Sequence, residues 1–181
     1  MEHEHFAQTD NNIENAFFEL LKQEKFTEIT VGQICDIAQI SRTTFYRHYV
    51  DKYTLLNKIN MYYSHSLTCF IKERLSVLDI KQALIEMAQF LSKNSTHILL
   101  LFDIHTPEID LSDLFKESLH NEFANYINSE QISRKIEKFP RAYSVDLYVA
   151  VSMVFLSYSL KNGLDVNIIS SLNAVQNALF D

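Results

Sequence analysis

Only two glycines and two prolines occur in the 181 residues of this chain, and this scarcity constrains the fold more than any other feature. Sheets need frequent tight turns, which are rich in Gly, Pro, Asn and Asp, whereas long helices need few. Hydrophobic residues make up 47% of the chain, which is enough to form a substantial core and argues against global disorder. The sequence therefore predicts an all-α protein of one or two helical domains.

Apolar residues recur at helical spacing through most of the chain. Asp10 or Asn11 is expected to cap the first helix, and Thr30 with Gln33 forms a capping-box pattern before the second. Further helices are predicted over residues 41–49, 51–75, 83–91, 98–102, 111–127, 141–162 and 166–180. A second capping box is predicted at Asp79 and Gln82, and Gly163 is expected to end helix eight.

The segment 41–49 is the clearest candidate functional site. It follows the short predicted helix 30–38 and a turn at Gln39 and Ile40, and it contains two arginines, a histidine and several hydroxyl side chains but no acid. The whole chain has a formal net charge of −7, so this basic segment is a local feature. Two short helices joined by a tight turn are typical of a helix-turn-helix, whose second helix enters the DNA major groove.

The start of the third helix holds the residues that are predicted to contact DNA bases. Arg42 can pair with guanine O6 and N7, and Thr43 and Thr44 can contact base edges or thymine methyl groups. Phe45 and Tyr49 lie four residues apart on one helix face and are expected to be buried. The alternative interpretation of the polar residues is an ordinary solvated helix N-terminus.

The run from Thr44 to Tyr49, followed by Asp51 and Lys52, resembles the recognition helix of the TetR family of bacterial transcriptional regulators. The resemblance covers about the first third of the chain. It departs from the family at Thr43 and Thr44, where a glycine is common, and at Tyr49, where phenylalanine is common.

This resemblance implies a homodimeric helical regulator. Residues 1–52 would form a helix-turn-helix DNA-binding domain, and residues 53–181 an effector-binding and dimerisation domain. The donor groups of Tyr46, His48 and Lys52 would contact phosphate, and Arg47 would contact phosphate or a base. The full set of implied DNA-binding residues is Thr30, Ser41, Arg42, Thr43, Thr44, Tyr46, Arg47, His48 and Lys52.

The expected function is that of a repressor released from double-stranded operator DNA by an effector. Two alternatives are an activator and a co-regulator of the same fold that binds a protein or a small molecule without binding DNA. Aromatic residues on helices four to eight indicate an apolar effector pocket, although plain core packing explains each of them separately. The predicted pocket residues are Tyr63, Phe70, Met87, Phe102, Phe123 and Tyr148.

Helix eight contains the most apolar segment, residues 145–160. This segment falls short of the ~20 residues that span a membrane and contains Asp146, so no membrane span is expected. A helix that is apolar nearly all round would be an aggregation hazard in water. We therefore predict that helices eight and nine form a homodimer interface.

No enzymatic or cofactor motif is apparent in the sequence. His97, His105 and His120 lack partners at metal-ligand spacing, and Gly32 and Gly163 cannot form a phosphate-binding loop. We therefore expect a protein that is not an enzyme and that holds no metal or cofactor.

The two cysteines, Cys35 and Cys69, lie far apart on predicted apolar faces. They are expected to be reduced core residues of a cytoplasmic protein. The polar, acidic segment 1–10 does not resemble a secretory signal.

Overall fold

The computed structural model describes residues 2–76, 80–107, 110–128, 139–163 and 165–180, and these ranges contain helices and loops but no β-strand. The helices are α1 (Glu2–Leu21), α2 (Val31–Ala38), α3 (Arg42–His48), α4 (Lys52–Ser76), α5 (Ile80–Lys93), α6 (Ser95–Phe102), α7 (Leu111–Ile127), α8 (Arg141–Asn162) and α9 (Val166–Phe180). The all-α prediction is confirmed.

Local hydrogen bonds fix the start of the two short helices α2 and α3. Thr30 Oγ1 accepts a bond from the Gln33 amide at 3.3 Å, and Gln33 Oε1 accepts from the Thr30 amide at 2.8 Å. Ser41 Oγ accepts from the Thr44 amide at 3.0 Å and caps α3 in a similar way. These bonds satisfy amides that have no partner inside the helix. The capping box predicted at Thr30 is therefore confirmed.

Several helices begin earlier than the sequence pattern predicted, and α1 and α6 are two of them. α1 starts at Glu2, so that Asp10 and Asn11 lie inside the helix and do not cap it. Asp10 instead bonds to side chains of α3 and α4, which explains why a good capping residue stands in mid-helix. α6 starts at Ser95, one turn before the predicted range. The predicted capping box at Asp79 lies outside the described residues.

One hydrophobic cluster extends through the fold, from Ile13 on α1 to Leu172 on α9. Phe17 of α1 and Phe45 of α3 are both fully buried, and Leu55 at the start of α4 is buried in the same cluster. The second half of α4 packs on α5 and α7, and α8 packs on α5, α6, α7 and α9. The hydrophobic packing therefore continues across residue 52, where the sequence analysis places the division between the two predicted domains.

α8 is long and apolar enough to cross a membrane by composition, with a mean hydropathy of 1.3 over its most apolar stretch. Its inner face, which includes Val145, Tyr148 and Phe155, is buried in the protein. Core helices of water-soluble folds commonly have this composition. The inner face of α8 packs against α5, α6, α7 and α9 as part of the core.

The two cysteines differ in their surroundings. Cys35 is buried on α2, as predicted, whereas Cys69 is exposed on α4. The prediction for Cys69 is wrong because its side chain lies on the outer side of α4, with Sγ 3.7 Å from Nε2 of His65 one turn earlier. Both thiols are free.

Candidate nucleic-acid interface

The turn between α2 and α3 depends on a left-handed backbone at Gln39, with φ 54° and ψ 45°. No other non-glycine residue in the described ranges has a positive φ. The Gln39 amide donates to the Asp36 carbonyl at 3.4 Å, and the Ile40 amide donates to the Cys35 carbonyl at 3.0 Å. This arrangement ends α2 and sets the direction in which α3 leaves the turn.

Gln39→Gly is expected to raise the free energy of unfolding by about 1 kcal/mol. A side chain in the left-handed region is strained by about that much, and glycine relieves the strain at some entropic cost. Urea unfolding followed by circular dichroism measures the change. The matched control is Gln89→Gly on the exposed side of α5, where the same substitution should lower the free energy by about 1 kcal/mol. A loss of stability at both positions would contradict this explanation of the turn.

The outer face of α3 is free for contact with a large partner. Arg42, Thr43 and Arg47 are exposed, and the Tyr46 side chain is 57% exposed. Phe45 and Tyr49 are 0% and 3% exposed, which confirms their predicted burial. The inner residues anchor α3 on the core, while the outer ones present hydrogen-bond donors and positive charge.

The Arg42 guanidinium lies against the first turn of α2. A Cβ atom built on Gly32 would be 2.8 Å from Arg42 Nη2 and 3.7 Å from Thr30 Oγ1. Gly32 therefore leaves room for Arg42, and the side chains of Thr30 and Arg42 both lie beside Gly32. The start of α2 thus lies next to the start of α3, and these are the two places at which the sequence predicted DNA contacts.

His48 is turned towards α1. Its Nδ1 lies 2.7 Å from Asp10 Oδ1, and its side chain is only 4% exposed. Its ring stacks on Phe6 with 3.8 Å between the ring centroids. The phosphate contact implied for His48 is not favoured by this geometry, because its Nδ1 is already paired and its side chain is buried.

Lys52 is half-buried, and its ammonium group points at the loop between α1 and α2. Nζ donates to the carbonyls of Phe26, Thr27 and Ile29 at 2.8, 3.1 and 2.7 Å. Because a lysine has three N–H donors, these bonds use all of them. Burial lowers the pKa of Lys52. The geometry therefore favours a structural role, in which Lys52 ties the start of α4 to the loop between α1 and α2.

A third set of polar contacts, which is only partly buried, joins α1, the end of α3 and α4. Lys58 Nζ donates to Asp10 Oδ2 at 2.9 Å and to the Tyr49 hydroxyl at 2.8 Å. Burial alone would raise the pKa of Asp10, but hydrogen bonds from Lys58 and His48 hold it below its usual value. Burial raises the pKa of Tyr49 to about 12. Sequence reasoning missed these contacts, because no local pattern links residues 38 and 48 positions apart.

The six residues predicted to line an effector pocket do not surround one open cavity. Phe123 stacks on Tyr148 with ring centroids 4.0 Å apart, and Phe102 meets Phe115 edge-on at 5.4 Å. The cavity beside Met87 and Tyr148 measures about 10 Å³, which holds one water molecule at most. In this structure the aromatic side chains mainly fill the core.

Larger clefts lie between the helix-turn-helix and the rest of the fold. One of about 700 Å³ is bounded by the α1–α2 loop, Tyr53 and residues 103–107. Another of about 600 Å³ lies between α1, α4 and α6 and is lined partly by Tyr62, Tyr63 and His97. The His97 ring stacks on Phe18 at 3.7 Å, and burial lowers the pKa of His97. Within the described ranges, His, Cys, Asp and Glu form no group of three that could hold a metal.

Solved structures with the same architecture exist. The chain is similar to Salmonella enterica GusR, with a TM-score of 0.70, 16% identity and 95% of each chain covered. It is similar to the dihydroxyacetone kinase operon activator DhaS, with a TM-score of 0.63 and 17% identity over 95% of this chain and 96% of that one. A TetR transcriptional regulator from Streptococcus agalactiae gives a TM-score of 0.65 and 18% identity over 99% of this chain and 98% of that one.

These likenesses extend over nearly the whole chain, and they establish that it has the fold of the TetR transcriptional regulators. No protein-family model matches the sequence, and no curated protein matches it significantly.

Proposed function

We propose that this protein is a cytoplasmic TetR-like transcriptional regulator that binds double-stranded operator DNA as a homodimer and has no catalytic activity. The observation that carries the proposal is the free outer face of α3, which presents Arg42, Thr43, Tyr46 and Arg47 while Phe45 anchors the helix on the core. A helix-turn-helix places such residues against base edges and phosphates. The fold shared with known regulators supports the same function.

Some side chains of this region are proposed to contact DNA, and others are proposed to hold those side chains in place. Arg42 at the first position of α3 is proposed to read a guanine, and Thr43 and Thr44 to contact neighbouring bases. Tyr46 and Arg47 lie one turn further along and are proposed to bind phosphate. The capping residues Thr30 and Ser41 are exposed at the same edge, and they are proposed to add hydroxyl contacts to the DNA backbone. His48 and Lys52 support this surface from within.

The dimer is proposed to form through α8 and α9. On α8, Tyr143, Val154 and Tyr158 are 53%, 71% and 43% exposed, and on α9 Val175 is 45% exposed. Helical spacing places Tyr143 and Val154 about 140° and 120° around α8 from the buried Tyr148, and Tyr158 about 80° from it. A second copy of the chain is the occupant that suits a helix-turn-helix protein, because two recognition helices then face successive major grooves.

Regulation is proposed to be a shift between two dimer arrangements, only one of which matches the operator. An effector that binds the other arrangement more tightly would release DNA, and the protein would act as a repressor. DhaS is an operon activator, so an activator with the same fold is the alternative for this chain.

Arg42→Ala is expected to weaken operator binding by roughly 5- to 150-fold, which corresponds to about 1–3 kcal/mol for a bidentate contact with a base. Binding to random DNA should change much less, because that binding depends on phosphate contacts. The operator can be selected from genomic fragments, and fluorescence anisotropy then measures both affinities over a series of salt concentrations.

The control for this test is Lys93→Ala, which removes an exposed positive charge at the end of α5. It should leave both affinities unchanged. If Arg42→Ala weakened binding to both DNA types equally, Arg42 would be a phosphate contact. If neither the wild-type protein nor the variant bound DNA, the proposed function would be wrong.

A second candidate is a co-regulator that does not bind DNA. It is favoured by one observation, namely that the donors of His48 and Lys52 are engaged inside the fold. Arg42 and Arg47 remain as the exposed positive charges of α3, and the chain as a whole carries a net charge of −7. Failure to bind any genomic fragment at low salt would favour this candidate.

A further inference from the structure

Arg74, near the end of α4, is half-buried, and its guanidinium reaches the core of the second half of the fold. Its Nη1 donates to the Tyr148 hydroxyl at 2.9 Å, and its guanidinium carbon lies 5.7 Å from the centre of the Tyr148 ring. Its Nε is buried and has no hydrogen-bond acceptor. Among the described residues, no carboxylate lies within 4.0 Å of this guanidinium. Within the described residues, the contacts of this guanidinium are the Tyr148 hydroxyl and the Tyr148 ring, and the Nε–H bonds to neither.

The guanidinium borders the cavity of about 10 Å³ in the core of α4, α5, α7, α8 and α9. The polar groups at this cavity, besides Arg74, are Tyr148 and Ser152, which hydrogen-bond to each other. Burial raises the pKa of Tyr148, so its hydroxyl stays protonated near neutral pH. The remaining wall is apolar and consists of Leu67, Ile71, Met87, Leu119, Phe155, Leu156 and Leu172.

An arginine in such a place is costly for the fold. Its buried Nε–H has lost its bonds to water and has gained no acceptor in the protein, and a buried donor without a partner destabilises the folded state. Packing therefore does not explain Arg74, whereas binding of an anion does.

We infer that this core is the effector site and that its ligand is a small organic carboxylate with an apolar body. The carboxylate accepts the free Nε–H of Arg74 and a second N–H of the same guanidinium, in the side-by-side geometry that arginine favours. The apolar body replaces the contacts that Met87 and Leu172 now make with the cavity. This inference rests on the proposed function, because it names the chemical class of the effector.

For a ligand to enter, Met87 and Leu172 are the lining residues that would have to move. The Met87 side chain has three rotatable bonds and can leave the cavity without moving the backbone of α5. Leu172 lies on α9, whose inner face closes the other side of the cavity. The site does not suit a cation, which Arg74 would repel. A neutral apolar ligand would leave the Nε–H without an acceptor.

Thermal unfolding of the DNA-free protein tests the inference with named probes. These are hexanoate, octanoate, phenylacetate and 4-phenylbutyrate, each compared with its primary amide at equal ionic strength. At least one carboxylate should raise the midpoint by about 5 °C or more at 100 times its Kd, while its amide should not. Arg74→Met should weaken binding of that carboxylate roughly 10- to 100-fold, the range for one charge-assisted hydrogen bond or more.

Two variants make the test specific. Lys72→Met removes a neighbouring positive charge on the outside of α4, where Lys72 is 62% exposed and 3.4 Å from Glu122, and it should leave carboxylate binding unchanged. Arg74→Met itself should unfold at the wild-type temperature or above it, because it removes a buried donor that has no acceptor. If Arg74→Met does not fold, Arg74→Gln takes its place, and the comparison of acid with amide on the wild-type protein stands by itself.

Three results would overturn the inference. They are no response of the wild-type protein to any of the four carboxylates, an equal response to the amides, and full binding by the Arg74 variants. Because no DNA is present in these measurements, a failure of the effector site is distinguishable from a failure of DNA binding. The converse also holds, since operator binding by the free protein is measured without any carboxylate.

Discussion

Lys52→Met should lower the free energy of unfolding by about 3 kcal/mol and should leave the salt dependence of DNA binding unchanged. The substitution removes three hydrogen bonds from a charged donor. Two of them, to the carbonyls of Phe26 and Ile29, are partly buried, and these carbonyls lose their partner. Bonds to charged groups contribute about 1.5–3 kcal/mol each, and the total is smaller because water can reach the loop. Urea unfolding of the variant measures the loss.

The control is Lys25→Met, which removes an exposed lysine from the same loop. It should change the free energy of unfolding by no more than about 0.5 kcal/mol. The family resemblance alone implies a different result for Lys52, a fall of about 0.9 in the slope of log K against log salt for one lost phosphate contact. If the salt slope fell by that amount and the free energy of unfolding did not change, Lys52 would be a phosphate contact.

The double substitution Val154→Glu and Tyr158→Glu should convert the proposed dimer into a monomer of 21.1 kDa and reduce operator affinity by more than about 100-fold. Both side chains lie on the exposed face of α8. In the proposed dimer the two-fold axis would bring the new carboxylates of both copies together in an apolar interface, at a cost of several kcal/mol. A monomer can hold only one half-site at a time and loses the advantage of the second.

Light scattering gives the mass and anisotropy gives the affinity in this experiment. Met61→Glu is the control, because Met61 is an exposed apolar residue on α4, 51% accessible and outside the proposed interface. It should leave the mass at about twice that of the chain. A double variant that remains dimeric would place the interface elsewhere.

The features that were predictable from the sequence are those set by nearby residues. Capping at Thr30 and Ser41 depends on residues three positions away, and the burial of Phe45 and Tyr49 follows from helical spacing. The helix-turn-helix and its outer face could therefore be predicted from the sequence alone.

The features that could not be predicted depend on distant parts of the chain. The sequence shows that Lys52 begins a helix, but not that three carbonyls of the α1–α2 loop surround its ammonium group. Asp10 is a residue type that commonly caps helices, but its side chain pairs with His48 of α3 and Lys58 of α4. Likewise, a high aromatic content is compatible with either a pocket or a filled core, and only the packing of Phe123 on Tyr148 separates them.

The length of α4 determines how far a small tilt of this helix would displace the helix-turn-helix. Its 25 residues run without interruption from Lys52 to Ser76, and the part between Lys52 and Arg74 is about 33 Å long at 1.5 Å per residue. A tilt of only about 5° around the Arg74 end would carry the Lys52 end by about 3 Å. That distance is close to the rise of one base pair, about 3.4 Å. Because Lys52 holds the α1–α2 loop, the helix-turn-helix would move with it, and in a two-fold dimer both units would lose their alignment with the operator together.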